Sequence, residues 1–388
     1  MRILNVVGAF PPAFAEGGPG VMVYNVSREL IQLGHQVFVL TTDKCVGERL
    51  DVPRGETEWN GVQVRYCLWE RSFLPYHSPE LRAQVRARLP RTDVVLLSSS
   101  WTSYGIATGT ECRRAGTPYI LYAHGSYDPA RLRRGWLKKK FWWWAFDRRL
   151  YDHAAAVIAL TKAEVEQIRT MRVKTRTDQI PIGVDTVQLT VRTSRAELEE
   201  RYPELRGHLI VLFLGRLHPI KGVDVLIKSF ARVRLRVPKA LLVIAGPSEG
   251  SYAEEIYRFV RDQNLEDAVL LTGEVRTLDK ASLLHEAAVF CLTSYGEGLP
   301  AAALEAMYCG TPVVLSEGCN LPEIEEVGAG YVTNLDPHRV ADAIITLLQD
   351  DKAREQMGEN GRRLVSERFT WREVARKTAA LCEDILDS

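Results

Sequence analysis

Short, unbroken apolar runs alternate with longer amphipathic stretches along most of this chain. Residues 3–7, 36–40, 93–97, 119–123 and 156–160 are apolar without the every-second-residue alternation of a strand that has one wet face. Such runs predict strands buried on both faces, as in a parallel sheet covered by helices. Between them lie segments such as 21–33, apolar at helical spacing and closed by Gly34. Strand, helix, strand in that order predicts a doubly wound α/β sheet.

The pattern then restarts. Residues 186–207 are polar and charged and carry no strand signal. A second series of apolar runs follows at 210–214, 240–245, 269–271, 289–292, 312–315 and 331–333, again separated by helical stretches. The expectation is two Rossmann-like domains, residues 1–185 and 186–370, facing each other across a cleft. The final segment, 371–388, places Trp371, Val374, Ala375, Leu381, Cys382, Ile385 and Leu386 on roughly one helical stripe. It is expected to cross back to the N-terminal domain.

Composition agrees with two cores: 388 residues, 46% of them hydrophobic, exceed what one ordinary domain buries. The net charge of +1 gives no global reason to expect nucleic acid. Seven cysteines are dispersed, with no C-x-x-C and no zinc-ligand spacing, and read as reduced thiols in a cytoplasmic protein. The apolar run after Arg2 stops at Pro11-Pro12, so it reads as a first strand, not as a secretory segment. No stretch approaches the ~20 apolar residues of a membrane-spanning helix.

Ligands of open parallel sheets bind beyond the C-terminal strand ends, and three stretches stand there. After the first strand comes Glu16-Gly17-Gly18-Pro19-Gly20, opening a helix. Glycine lets backbone approach a ligand closely, and a helix start offers unpaired N–H groups. Val23 breaks the G-x-G-x-x-G dinucleotide fingerprint, which counts against a dehydrogenase. After residues 210–214 comes a loop from Gly215 to Gly222 that carries Arg216 and Lys221. Two cations there suit the charge that grows on a departing diphosphate. After residues 289–292 comes Thr293-Ser294-Tyr295-Gly296-Glu297-Gly298-Leu299-Pro300, and then a helix whose first turn suits Pro300. The free N–H groups of Leu299 and its neighbours, on the stretch Gly298-Leu299-Pro300 that enters the helix, form a second seat for a diphosphate.

Glu297 and Glu305 could be mistaken for a hydrolase acid–base pair. Eight helical residues would set them ~12 Å apart, beyond the ~5–9.5 Å that such pairs use. With Glu297 on the loop and Glu305 two turns into the helix, they are expected to serve different parts of one ligand.

These residues also carry a resemblance. Gly17-Gly18, His124-Gly125, Pro181-Ile182-Gly183-Val184-Asp185, Gly215-Arg216 with Lys221-Gly222, Glu297 and Glu305 as E-x7-E, and Gly310-Thr311-Pro312-Val313-Val314 follow in order over nearly the whole chain. The set resembles the retaining glycosyltransferases of family 4, which have the GT-B fold. The resemblance implies that Gly17 and Gly18 approach the donor phosphate and that Arg216 and Lys221 hold the diphosphate. It assigns donor-sugar hydroxyls to Glu297, the ribose to Glu305, the nucleobase to the backbone of Val275, and a place beside the donor sugar to His124. It makes the N-terminal domain the acceptor side and the C-terminal domain the nucleotide-sugar side. It further implies a UDP- or GDP-linked donor, a glycan or lipid-linked acceptor, retention of configuration by front-face attack, no cofactor and no metal, and a place in bacterial surface-polysaccharide synthesis. Leu299-Pro300 stands where many members carry Phe-Gly, and Ile182 where Asn is frequent.

Basic and aromatic residues interleave over 131–149, a composition suited to an anionic membrane surface. The competing expectation is a helix that buries its aromatics. Fold alone leaves open a nucleotide-sugar epimerase, a sugar phosphorylase or a non-catalytic sugar-nucleotide or membrane-binding module.

Overall fold

In the computed structural model, residues 1–126, 136–248, 252–275 and 277–388 are described. The chain forms two units: Met1–Gly183 together with Trp371–Ser388, and Val184–Thr370. None of the described helices is long and apolar enough to cross a membrane.

The first unit contains β1 (Arg2–Val7), β2 (Gln36–Thr42), β3 (Lys44–Cys45), β4 (Glu48–Arg49), β5 (Glu56–Trp59), β6 (Val62–Cys67), β7 (Val94–Ser98), β8 (Tyr119–Tyr122), β9 (Ala156–Ala159) and β10 (Thr177–Gln179). Eight of them make one sheet in the order β10-β9-β8-β7-β1-β2-β6-β5, and β3 and β4 pair separately. Every neighbour in the large sheet is parallel except β5 and β6. From β1 the chain builds one flank through β2 and the other through β7, so the order reverses between β1 and β7. Their register, Ile3 opposite Val94 and Val7 opposite Ser98, brings the two C-terminal ends side by side.

The buried runs behave as their pattern implies. β7 and β8 are buried at every position. Leu4, Val6, Val95, Leu97, Leu121 and Val157 form one core with Leu81, Val85, Cys112 and Tyr151 from the covering helices. Each fully buried aliphatic side chain contributes about 1.5–3 kcal/mol. Three strands of this sheet are absent from the sequence expectation. β6 alternates buried Val62 and Val64 with Gln63 and Arg65, because one of its faces is wet. β5 pairs against it at the sheet edge, and β10 is a short polar strand at the other edge. A search for unbroken apolar runs passes over all three.

The helix Trp371–Leu386 belongs to this first unit. Trp371, Val374, Ala375, Leu381 and Cys382 are buried along it, whereas Leu386 is exposed. Thr378 Oγ1 lies 3.2 Å from Tyr122 Oη at the end of β8. The helix packs on Gly18–Gln32, the helix that follows β1.

The second unit opens with the short helices Thr186–Thr190 and Arg195–Arg201, the latter started by a Ser194–Glu197 capping box. Its strands are β11 (Leu209–Leu214), β12 (Ala240–Ala245), β13 (Val269–Gly273), β14 (Val289–Leu292), β15 (Val313–Ser316) and β16 (Gly330–Thr333). They form a wholly parallel sheet in the order β13-β12-β11-β14-β15-β16. Here the order reverses between β11 and β14. In open α/β sheets the crevice at such a reversal is where ligands sit.

Candidate functional site

In the second unit, the loops that leave β11 and β14 flank the reversal and are tied together. Tyr295 N donates to Ile220 O at 2.8 Å, and Thr293 Oγ1 donates to Gly222 O at 2.8 Å. Gly222 has φ 63°, and a Cβ there would stand 2.0 Å from Thr293 O, so only glycine permits this approach.

The junction carries Lys221 to Glu297. Lys221 Nζ lies 2.5 Å from Glu297 Oε1, and both side chains are largely buried, at 20% and 13% exposure. Ser294 Oγ donates to the same oxygen at 2.6 Å. The Glu297 backbone is held too: its N–H donates to Gly318 O at 2.8 Å, and its carbonyl accepts from Asn320 Nδ2 at 2.8 Å. Oε2 accepts no hydrogen bond from the described residues, and the ammonium has donors beyond the one it gives Glu297. This is a fixed carboxylate and a fixed cation with capacity left for a ligand. Arg216 is exposed on the same loop as Lys221.

Pro300 is the N-cap of the helix Ala301–Tyr308. Gly298 and Leu299 stand on the stretch leading into it. Glu305 lies in the second turn, among buried Ala303, Leu304, Ala306 and Met307. It bonds Lys280 Nζ at 2.7 Å instead of meeting Glu297. Each glutamate therefore answers a lysine from another element. Val275 follows β13, at the sheet edge. Three strand spacings, roughly 14 Å, separate β13 from β14. The start of the basic, aromatic segment, residues 131–135, lies outside the described residues, as do residues 249–251 and Arg276.

In the first unit, the reversal between β1 and β7 opens a cavity of about 170 Å³. Gly8, Glu16, Gly17, Tyr76, Ser98, Ser99, Ser100, Thr102 and His124 are among its lining residues. Gly17 caps the helix Gly18–Gln32, with φ 100°, so Gly17 and Gly18 sit at a helix start. His124, just past β8, has φ 53°, a conformation uncommon outside glycine, and its ring stacks on Tyr122 at 5.7 Å. The turn is held by buried Glu164, which accepts from Gly125 N and, at 2.6 Å, from Leu160 N. Sequence reasoning missed Glu164, Lys280, Ser294 and Asn320, since each acts through a partner set only by the tertiary fold.

The basic, aromatic segment divides by face. Trp143, Asp147 and Leu150 are buried, and Asp147 accepts from Trp142 Nε1 at 3.1 Å and Trp101 N at 3.0 Å. Leu137, Phe141 and Trp144, spaced i, i+4, i+7, are exposed at 65%, 70% and 61%. Trp142 and Phe146 of the same segment line a groove of about 590 Å³ with Phe73 and Ile106.

Residues 194–364 match the model of the glycosyl transferases group 1, and residues 17–183 match that of the glycosyl transferase 4-like domain. The D-inositol 3-phosphate glycosyltransferase of Paenarthrobacter aurescens is 31% identical over 94% of this chain and 92% of its own length. The MMP alpha-(1->4)-mannosyltransferase of Mycolicibacterium hassiacum is 26% identical over 95% of this chain and 94% of its own. Among solved structures, Anabaena Alr3699/HepE in complex with UDP superposes with a TM-score of 0.77 at 19% identity, covering 99% of this chain and 100% of that one. That likeness is one of fold, two Rossmann-like domains of the GT-B type.

Proposed function

The chain belongs to the group 1 glycosyltransferases with a 4-like N-terminal domain, and on that premise we propose that it moves a hexose from a UDP- or GDP-linked donor, with retention, to a glycan or lipid-linked acceptor. The observation that carries the reading is the Lys221–Glu297 pair at the strand-order reversal of the second sheet. As the glycosidic bond breaks, negative charge grows on the leaving diphosphate. Lys221 supplies a fixed cation there, Arg216 a second cation on the same loop, and the helix start beyond Leu299 supplies backbone N–H groups. Glu297, held through its side chain and its backbone, accepts hydrogen bonds from donor-sugar hydroxyls through Oε2. Glu305 takes the ribose hydroxyls, and the backbone at Val275 takes the base. Gly17 and Gly18 approach the donor phosphate, with His124 beside the donor sugar. No metal is assigned a role, since the cations and helix starts meet the diphosphate charge.

Retention follows when the acceptor attacks from the face the diphosphate leaves, with a leaving-group oxygen taking the acceptor proton. The reading is supported by the engagement of both carboxylates by lysines, which leaves neither arranged as one half of a hydrolytic pair. The chain works at the cytoplasmic face of a membrane, in bacterial surface-polysaccharide synthesis. Leu137, Phe141 and Trp144 enter the interface there, with Lys138, Lys139, Lys140 and Arg149 on the same segment facing anionic headgroups.

The test is a thermal-shift screen of nucleoside diphosphates and their sugars, followed by NMR of the product's anomeric centre. A diphosphate that raises the melting temperature, and a product with the donor's anomeric configuration, are expected. An inverted product would overturn retention. Activity abolished by EDTA and restored by magnesium would overturn the metal-free reading.

A further inference from the structure

Glu16 stands where its carboxylate is pinned and one face is left over. Its Oε1 accepts from Lys44 Nζ at 2.5 Å and Val46 N at 2.6 Å, and Oε2 accepts from Tyr76 Oη. The Lys44 ammonium also lies 4.4 Å from the centre of the Tyr76 ring. Burial alone would raise the Glu16 pKa, but the bonds from Lys44, Tyr76 and the Val46 amide outweigh it and hold it below its ordinary value. Tyr76 is shifted upward by burial and by Glu16, so it stays a donor. An ionised carboxylate offers about four acceptor sites; three are used, and the group lines the cavity between β1 and β7.

Much of the rest of that cavity's wall carries hydroxyls. Ser98, Ser99, Ser100, Thr102, Tyr76 and Tyr104 line it, and no described lining residue is Lys or Arg. Ser99 and Thr102 bond each other at 2.6 Å, and Ser100 lies 3.1 Å from Tyr151 Oη. Ser98 differs: it is 2% exposed, and its Oγ has no hydrogen-bond partner among the described residues. A buried hydroxyl without a partner costs about 1–3 kcal/mol, a cost that a ligand hydroxyl removes.

We propose that this cavity takes an uncharged polyhydroxyl part of the acceptor, and that Glu16 is the residue that selects it. The inference rests on the glycosyltransferase reading and narrows its acceptor class. A sugar or polyol hydroxyl donates to Glu16 and exchanges bonds with Ser98. A phosphate dianion cannot donate to Glu16, because both groups only accept, and no Lys or Arg on the described wall answers its charge. Gly17 N already donates to Phe14 O at 3.2 Å, so the Gly18 backbone faces the donor, and the side-chain wall belongs to the acceptor.

Matched probes test this: myo-inositol against inositol 3-phosphate, and mannose against mannose 6-phosphate. Binding to the full chain is titrated by NMR with a saturating nucleoside diphosphate. Each neutral probe is expected to bind at least about tenfold more tightly than its phosphorylated counterpart. Glu16→Gln should narrow that ratio to about threefold. Should Glu16→Gln fail to fold, Ser98→Ala serves: it should weaken the neutral probes about three- to tenfold, the loss of one hydrogen bond, with little change for the phosphorylated ones. Equal or tighter binding of the phosphorylated probes overturns the inference, as does no binding of any neutral probe. Donor turnover is measured separately. Its absence would sink the transferase reading while leaving the binding preference to stand or fall by itself.

Discussion

Lys221 and Glu297 are 76 residues apart in sequence, yet the ammonium of one lies 2.5 Å from the carboxylate of the other. The contact exists because β11 and β14 are neighbours in the sheet although two strands separate them in the chain. The loops leaving them are then sewn together at Tyr295 and Ile220.

Removing the cation should therefore remove diphosphate stabilisation while leaving the fold. Lys221→Ala is expected to lower kcat about 10²–10³-fold, the cost of losing one preorganised donor to developing charge. The variant should retain a cooperative melt. Steady-state kinetics beside calorimetry check this; a kcat within about threefold of wild type would contradict the assignment.

Gly222 sets the spacing of the same two loops. Gly222→Ala drives a Cβ toward Thr293 O, 2.0 Å away, at φ 63°. The expected cost is about 2–4 kcal/mol of stability from overpacking and left-handed strain together. Chemical denaturation reads it, and nucleotide binding should weaken in parallel.

Glu164 is a positioning residue for the turn at His124. Glu164→Ala leaves the Gly125 and Leu160 amides without their carboxylate, at about 1–3 kcal/mol. Were the role structural alone, only the melting temperature would fall. A role in positioning His124 predicts that kcat falls while the KM for donor changes little.

Acid should unsettle the first unit through Glu111. Hydrogen bonds from Arg86, opposed by burial and joined by Arg82, draw its pKa from an ordinary 4.5 down to about 2. A depressed carboxylate adds stability that is complete above its ordinary pKa of 4.5 and lost as pH falls from there through about 2. Wild type should thus lose melting temperature over that window more steeply than Glu111→Gln. Salt should shrink the difference, because the arginines are exposed.

The exposed stripe gives a surface prediction. Phe141→Asp and Trp144→Asp are expected to abolish co-sedimentation with vesicles containing phosphatidylglycerol at low salt, while nucleotide binding persists. Wild-type binding that is unmoved by these changes would remove the interfacial role of Leu137, Phe141 and Trp144.

Local sequence by itself determined the buried strands, because a strand covered on both faces writes itself as an unbroken apolar run such as residues 210–214. It also marked which polar stretches stand at the C-terminal edges of the sheets, because residues directly after such a run have only that edge to occupy. The strands β5, β6 and β10 escaped, since a wet face in β6 and a sheet margin in β5 and β10 dilute that signal. Only the tertiary structure decided which strand ends are neighbours, and hence that Lys221 meets Glu297, that Glu305 meets Lys280, and that Glu16 and Ser98 share one cavity. Strand order is fixed by the packing of whole helices and sheets against one another, and no short stretch of residues carries that information.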